Sequence, residues 1–484
     1  MTPVLAARAE ETVALREFHP FEAFGARFLY MVPSAGVFHL DEVAEAILEA
    51  LAAGPSTTGA LVIELSGRFD ETRVLETIDE LTEIRAVGDR SAPRDLVPND
   101  LPPADFPLNT VVLNVTNKCN LACTYCYEYG EDKLVDTRYG KQPKFMSEET
   151  AEQSVDFLLA ESKSQKVAHL TFFGGETLLN FPVLKRTVAY ARRRAAEEGK
   201  RIEFSLTTNA TLLTHEIIGW LADNHIGVTI SIDGPKPVQD GLRVFHNGRG
   251  TYDVVLPKIK ELLSVHRTRP IGARVTLTQK NLDVLGIFRH LTEEIGFWEV
   301  GLAPVTTQEH RDYAITDESK DDMLRQFEEL AHEWRDRALR GEHHGFSNVK
   351  DTLEEIHKGV SKAYGCGAGL GLMGVATDGD VALCHRFAGS EEHTIGSVTG
   401  GVDRAKQEQF LVDHHIAAKT DCHTCWARPI CSGGCYHEAH VRYGTSKRPN
   451  LHYCTWVRGW THTCLEIYGA LAERNPAFLR RFDA

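Results

Sequence analysis

Residues 110–126 read TVVLNVTNKCNLACTYC, an apolar run that leads directly into three cysteines, Cys119, Cys123 and Cys126. The first seven residues have the composition of a buried strand. The loop that follows has the spacing of metal ligands. A structural zinc site takes four ligands, whereas a cubane iron–sulfur cluster takes one thiolate per iron. Three thiolates on one loop would leave the fourth iron open to a small chelating molecule, much as catalytic zinc sites keep one position open. Spacing alone also admits a three-cysteine zinc site completed by a distant His.

Outward from this loop, strands and helices alternate from residue 109 to about 305. VAHLTFFGG, IEFSLTTNA, GVTISIDG, GARVTLTQ and WEVGLAPV read as further strands, and FPVLKRTVAYARRRAAEEG as one of the helices between them. Six strands with intervening helices predict an α/β fold, a partial (β/α)6 TIM-like barrel. In such barrels function collects at the C-terminal strand ends. Cys119 follows the first strand, Gly174-Gly175-Glu176 the second, Asn209 the third and Asp233 the fourth.

Residues 1–90 read as a smaller unit. ARFLYMV and GVFHL predict two short strands around a Pro-Ser-Ala-Gly turn. DEVAEAILEALAAG begins with an Asp cap and ends at Gly54, and DETRVLETIDELTEIRAV predicts another amphipathic helix. Two strands followed by packed helices resemble a winged helix. SAPRDLVPNDLPPADFP has five prolines in seventeen residues, so 91–108 is expected to be a linker. A helical bridge is expected over 306–365. Residues 366–484 show few apolar strands and hold eight of the eleven cysteines, so metal centres are expected to do much of their folding.

Composition narrows the function. The chain has 484 residues, 42% hydrophobic and 25% charged, which is globular and too long for one core. A formal net charge of -15 argues against a nucleic-acid footprint. No run of 18 apolar residues is present to span a membrane, and MTPVLAARAEETVALREF does not read as a secretory signal. Eleven cysteines without such a signal predict a reducing, cytoplasmic compartment, where thiols serve metals or catalysis.

C-x3-C-x2-C with Tyr125 before the last cysteine resembles the radical S-adenosylmethionine (radical SAM) enzymes. The resemblance implies a [4Fe-4S] cluster on Cys119, Cys123 and Cys126, whose open iron holds the amino and carboxylate groups of S-adenosylmethionine. An electron from the cluster would break a C–S bond, giving methionine and a 5′-deoxyadenosyl radical that abstracts hydrogen. Gly174-Gly175-Glu176-Thr177 resembles that family's Gly-Gly-Glu-Pro strand end, with Thr177 in place of Pro and Glu176 accepting from the bound amino group. Thr208-Asn209-Ala210-Thr211 resembles Thr-Asn-Gly-Thr, with Ala210 in place of Gly. Ser231-Ile232-Asp233-Gly234-Pro235 resembles the Ser-x-Asp-Gly-Pro segment around the ribose and carboxylate. The implied cofactor-binding residues are Tyr125, Gly174, Gly175, Glu176, Asn209, Ser231 and Asp233. Arg274 is expected either to reach the methionine carboxylate or to form a structural salt bridge. Asp233 is also a candidate general base.

Cys366-x12-Gly379-x4-Cys384, Cys422-x2-Cys425-x5-Cys431-x3-Cys435 and Cys454 resemble the SPASM extension of peptide-modifying radical SAM enzymes. That resemblance implies two auxiliary clusters, three [4Fe-4S] clusters in all. Cys422, Cys425, Cys431 and Cys454 would hold one, and Cys366, Cys384 and Cys435 the other. Its fourth position would be open or filled by Cys464, His385, His423 or His437, although Cys464 lies on a predicted helix and reads as a core thiol. Two structural zinc sites are the alternative on spacing.

The N-terminal unit resembles the RiPP recognition element, in which a leader peptide adds a strand to a sheet edge. Together these resemblances cover nearly the whole chain and imply a peptide or protein maturase. CNLACTYCYEYGEDK and the overall length resemble the thioether-forming members, which join cysteine sulfur to Asp or Glu carbon in a small Cys-rich protein. The implied partners are that substrate and an electron donor such as flavodoxin or ferredoxin. A formylglycine-forming sulfatase maturase and a quinone-cofactor peptide enzyme are alternatives within the class. An iron–sulfur redox sensor with a winged-helix domain is an alternative outside it.

Overall fold

A computed structural model describes residues 8–89, 101–103, 106–127, 130, 132–134 and 143–483. The expected linker falls largely outside these residues. The central strands form where the sequence places them: β1 (Thr110–Asn114), β2 (Val167–Phe173), β3 (Arg201–Thr208), β4 (Gly227–Ser231), β5 (Ile271–Leu277) and β6 (Glu299–Pro304). They pair in parallel and in chain order, with Thr110 opposite His169 and Arg274 opposite Gly301. Helices such as Glu148–Glu161, Phe181–Glu197 and Tyr252–Val265 cover the outside.

Alternation along the strands decides what the barrel encloses. Leu170 and Phe172 of β2, Phe204 and Leu206 of β3, and Val228 and Ile230 of β4 are almost fully buried. Residues of the other parity, including Thr207, Thr229, Ser231, Arg274 and Thr276, line a cavity inside the barrel. The apolar face packs on the helices, each large side chain contributing about 1.5–3 kcal/mol. The strand residues left facing the lumen are mostly hydroxyls and Arg274.

The sheet continues beyond the barrel. Strand β7 (Leu372–Val375) pairs in parallel with β1, and β8 (Asp380–Ala382), β9 (Thr394–Ser397) and β10 (Gly401–Val402) follow antiparallel. The resulting order is β6-β5-β4-β3-β2-β1-β7-β8-β9-β10. This corrects the expectation of a strand-poor C-terminal segment. Strands of two to four residues, interrupted by glycine and acid, are too short for a period to show.

At the N-terminus, helices Glu42–Ala52, Thr58–Leu65 and Glu71–Glu83 enclose a core that includes Ile47, Leu61, Val74 and Ile78. Asp41 caps the first of these helices, accepting from the Ala44 N–H at 2.8 Å. Strands Ala26–Met31 and Val37–His39 are joined by a third, Phe18–Ala23, in one antiparallel sheet. Phe21 and Phe28 of that sheet pack on the C-terminal helix Cys454–Arg474, where Gly469 makes room for them. Arg428 pairs with Glu17 at 2.5 Å, and His19 stacks on Trp426. No helix among the described residues is long and apolar enough to cross a membrane.

Candidate functional site

The loop after β1 is shaped by its contacts with the next strand ends. The Gly175 N–H donates to Thr116 O at 3.0 Å, and the Glu176 N–H to Lys118 O at 2.8 Å. This approach requires Gly174, which has a φ of +132° and where a Cβ would lie 2.5 Å from the Thr116 carbonyl oxygen. Asn209 donates to Asn120 Oδ1 at 3.1 Å, its amide nitrogen 3.9 Å from Cys119 Sγ. Cys119, Cys123 and Cys126 thereby face a cavity of about 490 Å³ that is also lined by Tyr125, Gly174, Gly175, Asn209, Ser231 and Arg274. Thr306, His385 and Arg386 also line it, the last two beside Tyr127. Burial pushes the Cys119 and Cys123 thiols up to about 12. Thiols in that state are poor nucleophiles, and a bound cation is what deprotonates them. Three soft donors on one loop, opening on a cavity large enough for a further ligand, fit an iron–sulfur cluster with one iron left for that ligand.

Two expected residues stand behind the wall rather than in it. The Glu176 carboxylate is 1% exposed and accepts from the Thr208 hydroxyl (2.6 Å), the Asn209 N–H (2.8 Å) and the Leu178 N–H (3.1 Å). Burial raises its pKa despite these bonds. Its role here is to fix the β3 end. Asp233 is fully buried and receives both arms of Arg243, at 2.9 and 3.1 Å, together with the Thr276 N–H at 3.0 Å and the Tyr125 hydroxyl. The expectation that Asp233 acts as a general base does not fit this placement, because both oxygens are engaged and neither faces the cavity. Asp233 instead holds Arg243, whose guanidinium lies 5.5 Å from the centre of the Tyr125 ring. Burial would lower the Arg243 pKa, and the Asp233 carboxylate outweighs it, leaving a fixed cation beside Cys123. Arg243 was not singled out in the sequence, where only its proximity to the Asp-Gly-Pro motif could have marked it.

Among the C-terminal cysteines, Cys422, Cys425, Cys431, Cys435 and Cys454 line a second cavity of about 190 Å³. The chain curls around it through three successive left-handed residues, Ser432, Gly433 and Gly434. Cys366 lies close enough to Cys384 and Cys435 to raise the pKa of both, after burial as the larger cause. Lys419, 2% exposed, sits among Cys422, Cys431, Cys366 and Cys435 and has no carboxylate within 4.0 Å among the described residues. It donates to Ser432 O at 3.3 Å, and burial lowers its pKa while the surrounding sulfurs oppose that shift, a placement that fits anionic metal centres on both sides. Of the candidates for a further ligand, Cys464 is fully buried in the main core. His423 Nε2 lies 2.9 Å from Ala417 O. His437, 1% exposed, has neither ring nitrogen partnered.

The radical SAM superfamily model matches residues 113–277, the stretch from the end of β1 to the end of β5. The matched stretch of the barrel is thus similar to a radical SAM domain. The uncharacterized protein MJ0907 of Methanocaldococcus jannaschii is 34% identical over 179 residues, 37% of this chain and 56% of its own length. A serine-type anaerobic sulfatase-maturating enzyme of Bacteroides thetaiotaomicron is 26% identical over 371 residues, 72% of this chain and 86% of that enzyme. Among solved structures, anSMEcpe with bound AdoMet has a TM-score of 0.63 at 20% identity, covering 76% of this chain and 99% of its own. Streptococcus suis SuiB bound to its precursor peptide SuiA has a TM-score of 0.51 at 14% identity, covering 91% and 99%. At these identities the structures show a shared fold.

Proposed function

We propose that this protein is a radical SAM/SPASM maturase that closes Cys-to-Asp and Cys-to-Glu thioether bonds in the small γ subunit of a quinohemoprotein amine dehydrogenase. The resemblance of CNLACTYCYEYGEDK to the maturation protein of that enzyme supports the substrate. One structural observation carries the enzyme class. One cavity is lined both by the three-cysteine loop and by the residues that directly follow Cys384. A peptide in this chamber would meet both the S-adenosylmethionine site and an auxiliary centre.

In this reading Cys119, Cys123 and Cys126 hold the first cluster, and Tyr125, Gly174, Gly175, Asn209 and Ser231 shape the S-adenosylmethionine site. Cys422, Cys425, Cys431 and Cys454 hold one auxiliary cluster, and Cys366, Cys384 and Cys435 the other. When bound, these groups supply one-electron cleavage of S-adenosylmethionine and an acceptor for the electron released at bond closure. Residues 1–90 serve as the peptide-recognition domain, and 366–484 as the SPASM domain. The SuiB complex supports a peptide partner, and SuiB aligns over more of this chain than the sulfatase-maturating structure does. The setting is cytoplasmic, with a flavodoxin- or ferredoxin-like donor.

The Bacteroides relative favours a second reading, formylglycine formation on a sulfatase. Both readings share the first step, so the class is tested by that step. Anaerobically reconstituted protein with reductant should convert S-adenosylmethionine to methionine and 5′-deoxyadenosine. A redox sensor would bind iron and produce neither.

A further inference from the structure

The central cavity is lined by three guanidiniums, Arg243, Arg274 and Arg386, and by no Asp or Glu among the described residues. Arg243 is neutralised by Asp233 at the cysteine-loop end. The other two have no carboxylate within 4.0 Å among the described residues. Arg274 extends across β6 over Gly301, where a Cβ would come within 3.0 Å of its Nη1. Arg386 donates to Thr306 Oγ1 at 2.8 Å and lies over the Tyr127 ring. The nearby Glu438 is occupied by Thr306 and Asn450, each at 3.2 Å. Asp351 and Glu438 act on Arg274, and Glu438 and the Cys384 and Cys435 sulfurs on Arg386, but neither guanidinium fork is engaged by a carboxylate among the described residues, so both keep two-point donors free to face the chamber.

We infer that Arg274 and Arg386 form a carboxylate-binding site whose ligand is the side chain of the substrate Asp or Glu. The inference rests on the thioether reading and identifies the group that reading must position. Guanidinium forks match a carboxylate in two-point geometry, and that match fixes the adjoining methylene carbon. S-Adenosylmethionine offers a carboxylate too, but in radical SAM enzymes that group chelates the iron on the cysteine loop. Arg243 stands at that end, beside Cys123 and Tyr125. Arg386 stands two residues beyond Cys384 and lies over Tyr127, and Arg274 reaches over Gly301 of β6. This reassigns Arg274 from cofactor to substrate.

The test uses the cluster-loaded protein with S-adenosylmethionine and a leaderless γ-subunit peptide carrying one target Asp, paired with the same peptide carrying Asn. The native protein should bind the Asp peptide about tenfold or more tightly than the Asn peptide. In Arg274→Gln and in Arg386→Gln the ratio should fall towards one through weaker binding of the Asp peptide alone, and Arg386→Lys should restore part of it. Iron content and circular dichroism identify any variant that has not folded, and the two variants report independently. An undiminished ratio in both folded variants would overturn the site. So would lost affinity for S-adenosylmethionine with the ratio intact, since the anion would then be the cofactor's own. A ratio near one in the native protein would also overturn it. The product mass is read from the same reactions. A strong Asp preference without loss of about 2 Da per bond keeps the site and rejects the thioether chemistry.

Discussion

Ala210 occupies the turn at the end of β3 with a φ of +64°, a region that costs a residue with a Cβ about 1 kcal/mol. Hydrogen bonds from the Ala210 N–H to Thr208 Oγ1 and from the Thr211 N–H to Asn209 Oδ1 hold it there. Ala210 is also fully buried in the main core, so Ala210→Gly exchanges that strain for a lost methyl contact and a looser unfolded chain and should shift the denaturant midpoint by less than about 1 kcal/mol, with S-adenosylmethionine binding retained. The Asp233–Arg243 pair is less forgiving. Arg243→Met leaves a fully buried carboxylate without its counter-charge and should cost about 3–5 kcal/mol by the same measurement. A loss under 1 kcal/mol would mean that water reaches Asp233. At this scale the motifs were legible in sequence, because contiguous residue types betray them. The partners were not. Arg243, Arg386 and Lys419 are single cations whose surroundings come from distant strands and loops.

The elements divide along the same line. Strands β2 to β5 were readable because one face must be apolar and the other lines a cavity, which imposes a two-residue period, and β1 as a short continuous apolar run. Phe18–Ala23 escaped because Pro20 interrupts it; as an edge strand it tolerates the missing N–H. That strand also bears on how the N-terminal unit can be probed. Removing the whole unit would uncover the face of helix Cys454–Arg474 on which Phe21 and Phe28 pack, so a point change is cleaner. The opposite edge is Val37–His39, and the Leu40 N–H bonds inward to Arg27 O at 2.8 Å. Antiparallel alternation then turns the His39 N–H outward. His39→Pro should leave the fold intact and weaken binding of the leader-bearing substrate by about tenfold, if the leader pairs with this edge. Equal affinity in a titration would place the leader elsewhere.

For the whole molecule, the three-cysteine loop and the C-terminal thiols hang from one sheet, since β7 carries the C-terminal segment directly onto the barrel edge. Three cubane clusters correspond to about twelve irons per chain. Replacing Cys119, Cys123 and Cys126 together by Ala should remove about a third of that iron and all cleavage of S-adenosylmethionine, while the C-terminal groups keep the rest. Iron analysis showing complete loss would mean that the auxiliary centres depend on the first. The overall architecture was legible because the three-cysteine loop and the C-terminal cysteines lie in separate stretches on either side of a cysteine-free body. What stayed hidden is that one cavity joins the first group to Arg386, a matter of long-range sheet order.

Mass analysis of the γ subunit made with and without this protein tests the central claim most directly. The account predicts a loss of about 2 Da for each Cys-to-carboxylate bond, with the bonded cysteines resistant to alkylation even after reductant, which separates a thioether from a disulfide of equal mass change. A product whose cysteines all alkylate after reduction, or one bearing an aldehyde in place of a thioether, would contradict it.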